Sequence, residues 1–299
     1  MGSSAIEWTW YTWNPWQWCA KVSPGCENCY AESWSPRFGD LRVEKGWQRV
    51  GPGDRAWGRN GARLFAPDSY FDKALGWNRA AKRDQLARRV FVASMSDILE
   101  VHPCAEVAQR QDEYRARLWT LIRETPWLHW LLLTKRPENF GRLPWLADAN
   151  AEVPDNVWLG VSAEDQRRAD ERIPLLINTP AAVRFVSYEP ALGPVNLLSY
   201  LTGVCDDVAL DCRRVCDLIM DGGEPCRHRR GLDWVIAGAE ARGRYPGRPV
   251  DLGWIRQVRD ACVATETPFF LKQLFADGEK LALPELDGKR WAEVPQLCE

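Results

Sequence analysis

Short runs of large apolar residues, each long enough for one strand, recur along this chain between stretches of helical periodicity. Trp130-Leu131-Leu132-Leu133 and Trp234-Val235-Ile236-Ala237 carry no polar residue, so they read as strands buried on both faces. Strand–helix alternation of this kind points to parallel βα units. The pattern predicts seven strands, at residues 6–13, 89–95, 129–134, 157–161, 183–187, 234–237 and 269–271. It predicts helices over 105–124, 163–177 and 252–264. The expected class is α/β, a parallel barrel in a single domain spanning residues 1–299.

Nearly every predicted strand ends in polar residues. The second ends in Ser94-Met95-Ser96-Asp97, the third in Thr134-Lys135-Arg136, and the fourth at Ser162 with Glu164 beyond. The fifth ends in Ser187-Tyr188-Glu189, the sixth in Gly238-Ala239-Glu240 and the seventh in Lys272-Gln273. In a parallel barrel these C-terminal ends share one rim, where active sites sit. Acids, bases and hydroxyls gathered there predict a polar pocket, although Asp and Arg at strand ends also form structural ion pairs.

The first strand feeds a loop holding Cys19, Cys26 and Cys29. Ser23-Pro24-Gly25 reads as a turn that swings the chain back toward Cys19. The Cys-x₂-Cys pair is tight enough for both sulfurs to reach one metal centre. Three thiolates can hold three irons of a [4Fe–4S] cluster and leave the fourth open. Zinc is the competing metal, and ordinary buried thiols are the bland alternative.

Two segments interrupt the alternation. From Trp34 to Leu64 there are seven Arg or Lys against three Asp or Glu, with Trp47 and Trp57 interleaved. Residues 34–70 therefore read as a basic, Trp-rich loop. It suits phosphates and stacked bases, or else it is a solvated arm whose tryptophans pack locally. Residues 203–231 hold Cys205, Cys212, Cys216, Cys226 and His228. Four sulfurs and an imidazole this close form a candidate structural zinc site, without paired Cys-x₂-Cys knuckles.

Composition narrows the class further. No apolar run approaches the ~20 residues that span a bilayer, so no membrane contact is expected. The first residues lack a signal-peptide pattern, and a cytoplasmic protein is expected. Ten cysteines in a reducing compartment favour metal binding over disulfides. A net charge of −2 gives no global attraction to nucleic acid, so such contacts must come from local patches.

Several blocks resemble a phage-associated family of three-Cys-motif proteins. They are Ile6-Glu7-Trp8-Thr9, Thr12-Trp13-Asn14-Pro15, the cysteine loop through Glu32, Phe91 to Asp97, Leu133 to Glu138, Trp158 to Ser162, Ser187 to Pro190, and Pro268 to Gln273. That family is similar to a distant branch of the radical S-adenosylmethionine (SAM) enzymes, which use a partial (β/α)₆ barrel. Those enzymes most often carry Cys-x₃-Cys-x₂-Cys, whereas this chain has Cys-x₆-Cys-x₂-Cys. The resemblance implies a [4Fe–4S] cluster on Cys19, Cys26 and Cys29 and a SAM molecule on the open iron. It implies a 5′-deoxyadenosyl radical that abstracts hydrogen from the substrate. Ser94, Ser96 and Asp97 would meet the methionine amine. Arg136 and Lys135 would meet the SAM carboxylate or a substrate phosphate, and Glu164, Glu189 or Glu240 the ribose. Lys272 and Gln273 would close the rim. Lys135, Glu189 and Lys272 are the candidate catalytic residues, and Gln273 a cofactor contact. The implied substrate is a nucleic-acid base or nucleotide. The implied partners are a three-Cys-motif partner protein and a reductant protein, in a bacterial host cell. The alternative is a non-catalytic, metal-stabilised protein that binds nucleic acid or docks a partner.

Overall fold

The inner sheet explains why the apolar runs are continuous. In a computed structural model, which describes residues 4–52, 56–147, 152–202, 204–205, 229–241, 247–276 and 279–296, eight strands form one curled sheet. They are β1 (Tyr11–Trp13), β2 (Arg88–Val92), β3 (Leu128–Thr134), β4 (Val157–Ser162), β5 (Val183–Tyr188), β6 (Trp234–Gly238), β7 (Phe269–Ala276) and β8 (Glu279–Ala282). Their order in the sheet is their order in the chain. β1 to β7 are parallel, and β8 turns back antiparallel on β7. All seven parallel strands therefore deliver their C-terminal ends to one edge.

Five longer helices accompany the sheet: α1 (Tyr30–Val43), α2 (Asp72–Arg83), α3 (Ala105–Glu124), α4 (Gln166–Ile177) and α5 (Leu252–Ala264). Two start on side-chain caps, each satisfying a backbone N–H that the first turn leaves open. Asp165 accepts from Arg168 N at 2.9 Å, and Asp251 accepts from Gly253 N at 2.7 Å. α3 and α5 have the predicted bounds. Among the described residues, no helix is long and apolar enough to cross a membrane.

Successive strand residues point to opposite faces, and the two faces have different fates. Val90, Val92, Trp130, Leu132, Leu159, Val186, Val235 and Leu271 join helix residues such as Leu118, Ile173 and Val258 in the larger core. The inner face carries Phe91, Leu131, Trp158, Phe185, Trp234, Ile236 and Phe270. Trp234 is its hub. Its ring meets Trp8, Trp158 and Phe270 edge-on, with centroids 6.3, 5.9 and 6.1 Å away, a favoured arrangement of aromatic quadrupoles.

Three expectations need correction. The first strand was expected over 6–13, yet only Tyr11–Trp13 pair. Residues before it turn instead, with Thr9 N donating to Ile6 O. Trp8 thereby folds beneath the sheet, 4.7 Å from the Phe91 ring. Residues 34–70 are not a loop throughout: the described part finishes α1 and supplies Gln48–Val50 and Arg63–Phe65, which form a three-stranded antiparallel sheet with Trp16–Gln17. Trp47 is buried there under the Arg42 guanidinium, which is packing and not a stacking platform. The seventh strand runs to Ala276, because β8 pairs with its second half.

Gly160 marks the tightest point of the inner face. A Cβ there would lie 2.4 Å from the Phe185 ring. Overpacking of this kind typically costs ~1–3 kcal/mol. Gly160→Ala is expected to lower the denaturant midpoint of unfolding accordingly, with m unchanged. A midpoint equal to wild type would contradict the packing described.

Candidate active site

The alternation that builds the aromatic plug also builds a cavity above it. Following the inner-facing parity toward the C-terminal edge, Leu131 and Leu133 lead to Lys135, and Trp158 and Gly160 lead to Ser162. Val183 and Phe185 lead to Ser187 and Glu189, Ile236 leads past Gly238 to Glu240, and Phe270 leads to Lys272. These polar residues line a cavity of ≈ 150 Å³ together with Cys19, Cys26 and Cys29, and Ile6, Trp8, Phe91 and Leu133 supply apolar lining. One face thus changes from apolar to polar along its strands.

The three cysteines are half-buried and free, and the loop that carries them is held at several points. Ala20 is clamped on both sides of its peptide. Its N–H donates to Glu100 Oε1 at 2.8 Å, and its carbonyl accepts from Arg136 Nη2 at 2.6 Å. Further on, Gly25 N donates to Glu164 Oε1 at 3.1 Å, and Asn28 Nδ2 donates to Glu240 Oε2 at 3.0 Å. A Cβ at position 25 would lie 3.0 Å from the Glu164 carboxyl carbon, so a side chain there would have to displace that carboxylate. Arg248 ties the same loop from outside through Glu27 Oε2 and Pro24 O, each at 2.9 Å, and it pairs with Glu240.

Under Ala20 lies a compensated group of buried charges. Arg136 Nη1 meets Asp97 Oδ2 at 2.9 Å. Arg63 forks onto Glu100, Nε to Oε2 and Nη2 to Oε1, both at 2.7 Å. Asp97 also accepts from Lys135 N, Leu99 N and Thr134 Oγ1. Burial alone would raise the Asp97 pKa, but the Arg136 charge and these donors outweigh it and hold the carboxyl below its usual range. Burial pushes the Cys19 and Cys29 thiols up. Cys29 adds to the shift of Cys19, and Cys26 adds to that of Cys29.

The residues predicted for the site divide in two. Lys135, Glu189, Lys272, Ser94, Ser96, Asp97, Arg136 and Glu240 reach the cavity with the three cysteines. Glu164 sits behind the loop, bonded to Gly25 and to Arg172 Nη1. Gln273 is buried, with Nε2 donating to Ala239 O at 2.9 Å, so it staples β6 to β7. Within the first group Asp97, Arg136 and Glu240 are also bonded to the protein itself. Ser96 Oγ donates to Trp16 O, and Ser94 Oγ exchanges hydrogen bonds with the Asn14 amide. Lys272 Nζ is paired with Glu189 Oε1 at 2.5 Å. The sequence reading missed Trp8, Arg248 and the Arg63–Glu100 pair, while Trp57, named in the basic segment, lines this cavity. The charge of Arg63 and Arg248 was visible, but nothing local marked their partners. Cys212, Cys216, Cys226 and His228 lie outside the described residues. Cys205 is described only as backbone, in a two-residue strand paired with Arg229–Arg230.

Among the described residues, no three His, Cys, Asp or Glu side chains converge enough to hold one metal ion. A [4Fe–4S] cluster asks each thiolate for a different iron, so its ligands ring a volume and do not meet at one point. Three free thiols on the wall of one cavity fit that donor set.

Fold and site together define a mixed α/β protein with a curled, mostly parallel sheet and a cysteine-lined cavity at its C-terminal edge. The chain belongs to the family described as protein of unknown function (DUF5131), whose profile matches residues 3–295. Searches of curated proteins and of solved structures returned no match.

Removing one member of a buried charge pair typically costs ~3–5 kcal/mol. Arg136→Met is expected to lose about that much by chemical denaturation. Because the folded Asp97 pKa lies below its ordinary 3.8, its contribution is present at neutral pH and is lost as pH falls through the folded value. Asp97→Asn is therefore expected to lower stability at pH 7 and to flatten its acid dependence. An acid limb as steep as wild type would contradict this.

Proposed function

We propose that this protein is an iron–sulfur enzyme of the radical SAM type that modifies or repairs a nucleic-acid base or nucleotide. The observation that carries the reading is the meeting of Cys19, Cys26 and Cys29 with the inward polar ends of the strands in one cavity. We read the curled sheet as a partial (β/α)₆-type barrel, which is the fold this chemistry uses. When bound, the cluster and SAM supply hydrogen-atom abstraction by a 5′-deoxyadenosyl radical.

The chain's own residues position and shield. Cys19, Cys26 and Cys29 would hold the cluster. Glu100 and Arg136 fix the loop at Ala20, Glu164 fixes it at Gly25, and Arg248 with Glu240 fixes it at Pro24 and Asn28. Ile6, Trp8, Phe91 and Leu133 keep one side of the cavity apolar and limit water there. Lys272 is held beside the cavity by its contact with Glu189. The reading calls for a reductant protein and leaves room for a three-Cys-motif partner.

Anaerobic reconstitution with iron and sulfide tests this directly. The expected result is about four irons per chain and 5′-deoxyadenosine on adding SAM and a reductant. Cys19→Ala, Cys26→Ala and Cys29→Ala should each lose both. Iron-loaded protein that yields no 5′-deoxyadenosine would overturn the enzyme reading. Stoichiometric zinc lost on Cys29→Ala would favour a metal-stabilised binding or docking protein instead.

A further inference from the structure

The cations around the cavity do not all have the same standing. Arg136 is paired with Asp97, Lys272 with Glu189, and Arg248 with Glu240. Lys135 differs. Its ammonium makes one hydrogen bond, to the neutral Ser162 Oγ at 3.1 Å, and no ion pair among the described residues. It is half-buried and lines the cavity. An ammonium has three donors, so two remain for whatever occupies that space.

The strand register extends this arrangement. Ser162 and Ser187 are direct partners on β4 and β5, and Thr134 pairs with Val161 just before Lys135 and Ser162. Lys135, Ser162 and Ser187 thus form a row across three neighbouring strands, all on the inner face. Ser187 is 3% exposed and lines the cavity, and its hydroxyl has no hydrogen-bond partner among the described residues. The hydroxyl is not sealed in the interior but opens on the cavity, where a ligand oxygen can accept its hydrogen bond.

We propose that Lys135, Ser162 and Ser187 form a subsite for an anionic group of the substrate, a phosphate monoester. The site deepens the proposed function and rests on it for the nucleotide that would carry the phosphate. One charge-assisted contact and two hydroxyl donors suit phosphate oxygens. The apolar lining of Trp8, Ile6 and Phe91 leaves room for a flat, less polar portion of the same molecule. SAM also carries an anion, its carboxylate, so the test must separate the two sources.

The test is calorimetric titration of full-length protein, both with and without reconstituted iron and sulfide. The probes are nucleoside 5′-monophosphates, their nucleosides, inorganic phosphate and SAM. At least one monophosphate is expected to bind about tenfold or more tightly than its nucleoside, the scale of one charge-assisted hydrogen bond. Inorganic phosphate should compete. Lys135→Met should abolish the preference and Lys135→Arg should keep most of it. Ser187→Ala should reduce it, which keeps the test open if Lys135→Met fails to fold. The subsite is overturned if no monophosphate outbinds its nucleoside, or if the preference survives Lys135→Met. It is also overturned if Lys135→Met leaves the preference and weakens only SAM, which would assign Lys135 to the SAM carboxylate. A phosphate preference in protein that never forms 5′-deoxyadenosine would leave the subsite standing and remove the reaction.

Discussion

The site depends on how the peptide at Ala20 is held. A short loop carrying three thiols has no regular ladder to place it, so its geometry must come from side chains elsewhere. Glu100 takes the Ala20 N–H and Arg136 takes its carbonyl. Both side chains are buried, with Arg63 and Asp97 as their counter-charges. Two acids and two bases cancel, which makes the burial tolerable, and charged partners give the strongest hydrogen bonds to backbone. Cys19 is thereby fixed to the loop after β2 and to the end of β3, the same elements that carry Ser94, Ser96 and Lys135.

The second organising fact is the two-residue period of the strands. On the helix-covered face the period yields an uninterrupted apolar core. On the inner face it yields an aromatic layer around Trp234, with Phe185 packed over Gly160, and then Lys135, Ser162, Ser187, Glu189, Glu240 and Lys272. Trp8 lies beneath this gradient, between Phe91 and Trp234. The cavity is thus a consequence of where on each strand the polar residues begin, not of a separate insertion.

Much of this was legible in the sequence, for physical reasons. Runs such as Trp130–Leu133 have one stable placement in a chain this size, inside a parallel sheet, and the helices over 105–124 and 252–264 announce themselves by periodicity. The clustering of polar strand ends followed from parallel topology alone. Long-range pairings were hidden. Nothing near Arg63 signals Glu100, and nothing near Arg248 signals Glu240 or Pro24. Trp8 looked like strand because its neighbours are β-formers, while burial against Phe91 decided otherwise. Asp97, Arg136, Glu164, Glu240 and Gln273 were recognisable as polar residues at strand ends. Only the structure shows Arg136, Glu164 and Glu240 bonded to the cysteine loop, Asp97 bonded to Arg136, and Gln273 bonded to Ala239 O away from that loop. That leaves Lys135, Ser187 and the Lys272–Glu189 pair facing the cavity with chemistry to offer.

The central claim is that Cys19, Cys26 and Cys29 hold a cluster with one iron open to SAM in this cavity. Low-temperature electron paramagnetic resonance of the reduced, reconstituted protein, recorded before and after adding SAM, tests it most directly. The account predicts a [4Fe–4S] signal that shifts when SAM binds the open iron and is absent from the triple Cys→Ala variant. A signal unchanged by SAM, or one that survives loss of the three cysteines, would contradict it.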